Sequence, residues 1–74
     1  MNDVEKLMEE LDRERRELNI SCGKIAKEIG RSKKTVERQF RSKKVSCSTY
    51  YTLQNGIETV LEKRKVALNK ITHL

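Results

Sequence analysis

The stretch KEIGRSKKTVERQFRSKK, residues 27–44, sets eight basic side chains around two acidic ones. Ammonium and guanidinium groups at that density can neutralise a row of phosphates. They can equally form a solvated helix surface, and charge alone does not separate the two readings. The distribution of charge along the chain is more informative. Residues 1–20 hold four basic and seven acidic side chains, a net of −3. Residues 31–44 hold seven basic and one acidic, a net of +6, which equals that of the whole chain. Such a block is the electrostatic footprint expected of a nucleic-acid binder.

Other chemistries find less support in the residues. Cys22, Cys47 and His73 are the only thiols and imidazole, and they would need carboxylates to complete a zinc site. No metal or cofactor is expected. A lone histidine gives no triad, no Gly-rich phosphate loop is present, and the acids of the first helix fall on a solvated face, so no enzyme is expected. Tyr50 and Tyr51 could stack on single-stranded bases, although Tyr50 falls on an apolar stripe and reads better as core. The N-terminal segment MNDVEKLMEELDRERREL is acidic and amphipathic, unlike a signal peptide. No apolar run reaches the roughly 18 residues of a membrane span. The expected setting is cytoplasmic, with both cysteines reduced.

The elements that must position the basic block follow from periodicity. Proline is absent and glycine occurs three times in 74 residues, so most of the chain is free to be helical. The expected fold is all-α, a single domain over residues 1–74 with four to five helices. Val4, Leu7, Met8, Leu11 and Leu18 recur at helical spacing over about 3–18, with Arg15 interrupting the stripe. Ser21 can cap a second helix with Ile25, Ala26 and Ile29 on its apolar face, and Gly30 suits the left-handed residue that ends it. Ser32 can cap a third helix through about 41, with Val36 and Phe40 on one side. After a loop, Ser46 or Ser48 can cap a C-terminal helix over about 48–72. Its apolar positions 50, 53, 57, 60, 67, 71 and 74 keep one phase through Gly56, with Arg64 as the polar exception. That phase favours a single long helix or a kinked pair.

The order CGKIAKEIG, RS, KKTVERQF, with Ala26, Gly30 and Val36 at spacings of four and six, resembles the helix-turn-helix of the lambda-repressor and Cro-like family over about residues 20–60. Ala26 would allow two helices to cross closely, Gly30 would make the turn tight, and Val36 would anchor the second helix. The resemblance places the motif at about 21–41. It implies base reading by Ser32, Lys33, Lys34, Glu37 and Arg38, with basic side chains donating to guanine and Glu37 accepting from cytosine. Glu37 could instead steady Lys33, Arg38 or Arg41. Lys24, Arg31, Arg41, Lys43, Lys44 and Ser48 are the expected phosphate contacts. Three positions depart from the pattern. Cys22 stands where a phosphate-binding Gln is common, Arg31 where an apolar turn residue is usual, and Gln39 where an apolar residue is usual, with Phe40 beside it. A slight rotation of the helix would bury Phe40.

Members of this family bind two half-sites as dimers. Val60, Leu61, Ala67, Leu68, Ile71 and Leu74 are the expected dimerisation residues. Those at 67–74 are the stronger, because residues 57–61 can pack within the chain. The implied function is a sequence-specific, double-stranded-DNA-binding regulator acting on a palindromic operator as a homodimer, of the small phage or mobile-element repressor kind. The alternatives are a recombination or replication accessory factor with the same fold, and a helical protein-interaction module such as an antirepressor.

Overall fold

The computed structural model describes residues 3–72, and the side chains of residues 3–68. Four helices make up the described residues: α1 (Asp3–Glu17), α2 (Cys22–Ile29), α3 (Lys33–Ser42) and α4 (Cys47–Thr72). The all-α class and the long C-terminal helix are as expected. α1 opens on Asp3 and Glu5 and closes on Arg15 and Arg16, an order that suits the helix dipole. It ends at Glu17, and Asn19 turns the chain with φ 56°. Asn tolerates that left-handed position better than most residues.

The core is small and aliphatic. Met8, Leu11, Ile20, Ile25, Ala26, Val36, Phe40, Leu53, Ile57 and Val60 are buried in one cluster, joined by the Cys22 side chain. Val4, Leu18, Ile29, Val45, Tyr50 and Leu61 pack against it at the edge. Tyr50 therefore belongs to the packing, while Tyr51 stands 59% exposed beside it. Each fully buried aliphatic side chain contributes about 1.5–3 kcal/mol relative to exposure.

α4 is one continuous helix through Gly56, capped by Ser46, whose hydroxyl accepts from the Thr49 amide at 3.1 Å. Gly56 has a packing reason. A Cβ there would lie 2.8 Å from Ile29 Cγ2 and 3.0 Å from Ile25 Cγ2. The glycine is what lets α4 lie directly on α2. Arg64, the break in the apolar phase, has a role of its own. Its guanidinium donates to the Leu18 carbonyl and, at 2.9 Å, to the Asn19 carbonyl. It thereby satisfies groups left orphaned at the end of α1. Arg15, the break in the α1 stripe, stacks 4.9 Å over the Phe40 ring and pairs with Asp12 at 2.7 Å. Both arginines interrupt a sequence pattern because they lie at a boundary between helices.

Candidate nucleic-acid interface

The geometry of α2, the turn and α3 follows from three residues. Ser21 caps α2 by accepting from the Lys24 amide at 3.2 Å. Gly30 ends it at φ 70° and ψ 34°, where a side chain would be strained. Its amide and that of Arg31 both donate to the Ala26 carbonyl, which closes the last turn. Ser32, extended at φ −78°, then caps α3 by accepting from the Thr35 amide at 3.1 Å. A cap of this kind contributes about 1 kcal/mol. Ala26 is buried, as its place at the crossing requires, and Val36 and Phe40 anchor the inner face of α3. Phe40 is buried and Gln39 half-buried, so the helix takes the orientation that Phe40 demands.

The residues expected to read bases fall into two groups. Lys34 and Arg38 share one exposed side of α3 with Arg41, an expected phosphate contact, at intervals of four and three. With Glu37 they line a surface depression of about 330 Å³. Lys33 lies to one side, its ammonium 3.8 Å from a Glu37 carboxylate oxygen. Ser32 is exposed, but its hydroxyl is occupied by the cap and by a 2.7 Å hydrogen bond with the Thr35 hydroxyl.

The expected phosphate contacts do not form a single row. Arg31 and Ser48 meet across a small cleft of about 70 Å³ that also takes in Thr49 and Gln39. This brings the turn of the motif to the N-terminus of α4, whose free amides favour anions. Arg41 and Lys43 lie together at the other end of α3, in a groove of about 330 Å³ shared with Asp12 and Arg16 of α1. Lys43 ends α3 in a left-handed conformation, φ 60°, and its ammonium sits 3.4 Å from Glu9. Lys44 is exposed. Lys24 lines a separate groove between α2 and α4. Arg16, held by Asp12 at 3.2 Å, joins the Arg41 and Lys43 end although sequence reasoning did not select it. Only its place in the last turn of α1 hinted at this.

Cys22 is buried at the first turn of α2 and Cys47 is exposed at the first turn of α4; both are free thiols. Burial pushes the Cys22 thiol above its ordinary value. The residue fills core space where a phosphate-binding side chain could have stood. Among the described residues no cluster of potential ligands could hold a metal ion, and no helix is long and apolar enough to cross a membrane.

The expected dimer residues are divided in the same way. Val60 is buried in the chain's own core and Leu61 packs against it. That is the intramolecular role considered for residues 57–61, and it takes these two out of a simple dimer seam. Ala67 is exposed and lines the α2–α4 groove with Lys24, and Leu68 is 62% exposed on the other flank of α4. The Ile71 side chain and Leu74 lie outside the described residues. Comparison with family models, with curated proteins and with solved structures gives no match to this chain.

Proposed function

We propose that this chain is a sequence-specific, double-stranded-DNA-binding regulator that inserts α3 into the major groove. The observation that carries the reading is the outward side of α3. Lys34, Arg38 and Arg41 project together from a helix whose start is fixed by Gly30 and Ser32 and whose inner side is held by Val36 and Phe40. Two exposed basic side chains at i and i+4 on such a helix can reach adjacent base edges, where each good bidentate contact discriminates by about 1–3 kcal/mol. Arg31 and the α4 N-terminus on one side, and Arg41, Lys43 and Arg16 on the other, can grip the two flanking phosphate backbones. Glu37 acts in this scheme by steadying Lys33, which leaves Lys34 and Arg38 as the principal readers.

One α3 reads few base pairs, so the protein acts as a homodimer on two half-sites about one helical turn apart. Occupancy of such an operator represses transcription, in the manner of the small phage repressors that the motif resembles, within the cytoplasm.

A salt titration on duplex DNA tests the electrostatic part. With three to five cationic phosphate contacts per subunit, log K should fall linearly against log[salt] with a slope of about −3 to −5 per subunit. A slope near zero, or no binding at low salt, would sink the reading and favour a protein partner for the basic surface.

A further inference from the structure

α1 has a second stripe besides the one that faces the core. Asp3, Leu7, Glu10, Glu14 and Glu17 recur at alternating intervals of four and three, so they share one side of the helix. All five are exposed, Leu7 at 39%. None of the four carboxylates pairs with a cation among the described residues, although Glu9 and Asp12 on the opposite flank do. Like charges at i and i+4, such as Glu10 and Glu14, weaken a helix on their own. No ion pair among the described residues offsets the repulsion of Glu10 and Glu14.

A surface of opposite sign lies between α2 and α4. A groove of about 310 Å³ is lined by Lys24 and Lys27 of α2 and by Val60, Lys63, Arg64 and Ala67 of α4. Glu28, its one acid, is already held by Lys63 at 2.8 and 2.9 Å. Lys24 and Lys27 have no carboxylate partner among the described residues. The groove therefore presents the Ala67 methyl and the edge of a buried Val60 beside two unpaired ammonium groups, and the α1 stripe presents one leucine among four unpaired carboxylates.

We propose that the groove is occupied by α1 of a second copy of this chain, Leu7 resting against the exposed Ala67 while Glu10 and Glu14 meet Lys24 and Lys27. The inference rests on the homodimer of the proposed function and names its surfaces. It assigns Lys24 to the subunit contact rather than to a phosphate. Each copy supplies one stripe and one groove, so a two-fold pair makes the contact twice.

Sedimentation without DNA tests this through charge reversal. The wild type should dimerise at low salt and dissociate as salt screens the contact. Glu10→Lys with Glu14→Lys, and separately Lys24→Glu with Lys27→Glu, should each give a helical monomer by circular dichroism. An equimolar mixture of the two should form a heterodimer, because each reversed surface then faces its opposite. The near-isosteric Glu10→Gln with Glu14→Gln should weaken self-association by about tenfold. A wild type that remains monomeric overturns the proposal, as does either reversed variant that still dimerises, or folded variants that ignore each other on mixing. If Lys24→Glu with Lys27→Glu dimerises normally but loses affinity for duplex DNA, the groove is a DNA-backbone surface and this contact is wrong, while the reading of α3 stands.

Discussion

Glu37 is the one acid on α3, and its place settles how the neighbouring cations divide. It lies 3.8 Å from Lys33, a half-exposed pair contributing at most a fraction of a kcal/mol, yet enough to bias Lys33 toward its own helix. Lys34 and Arg38 have no such restraint and face solvent. Lys34→Ala or Arg38→Ala should therefore cost about 1–3 kcal/mol on the preferred duplex and relax selectivity at one base position. Binding measured on a panel of single-base variants checks this; an equal loss on every sequence would make the side chain a phosphate contact. The roles of Gly30, Ser32 and Val36 were legible in the sequence because each answers to a local rule of backbone or burial. Lys43 was not. Its left-handed cap and its approach to Glu9, 34 positions away, depend on how α1 crosses α3. Arg64 was legible only as an anomaly, since its carbonyl partners at Leu18 and Asn19 are distant in sequence.

At the scale of elements, the unbroken apolar phase through Gly56 foretold one α4 but not why a glycine interrupts it. Helix propensity alone would favour alanine there by about 1 kcal/mol. Packing opposes it, because the added methyl would press on the γ2 carbons of Ile25 and Ile29, which are branched close to the backbone and have little room to yield. Overpacking of this kind costs about 1–3 kcal/mol. Gly56→Ala should therefore leave stability unchanged or lower it by up to about 2 kcal/mol, measured by urea denaturation. A clear gain would mean that α2 and α4 are not in close contact. The same contact orients the motif, since α2 is held between α3 and α4 and its angle to α3 is fixed by the Gly30 turn. The boundaries of α2 and α3 matched the caps in the sequence. The end of α1 at Glu17 also lies close to the expected residue 18, with Asn19 making the turn.

The whole molecule is elongated, 51 × 22 × 18 Å, because α4 runs on past the bundle. An isolated helix end gains little from the core, and at 74 residues the core is modest. The segregation of charge makes sense at this scale. The acids collect on α1, and the cations on α3 and on the α2–α4 groove. The sequence displayed the +6 block of residues 31–44 openly, but it could not show that Lys24 and Ala67 line one groove or that, of residues 57–61 able to pack within the chain, Val60 is buried and Leu61 only partly so. Those facts depend on which flank of α4 each helix covers, and a heptad phase does not encode that.

The central claim is that α3 reads base sequence in duplex DNA, and repeated selection from a random duplex pool at near-physiological salt tests it most directly. The expected outcome is a short palindromic site with half-sites about one helical turn apart, bound at least about a thousandfold more tightly than a scrambled duplex. Binding to random duplexes as tightly as to the selected ones, with no site emerging over successive rounds, would contradict it.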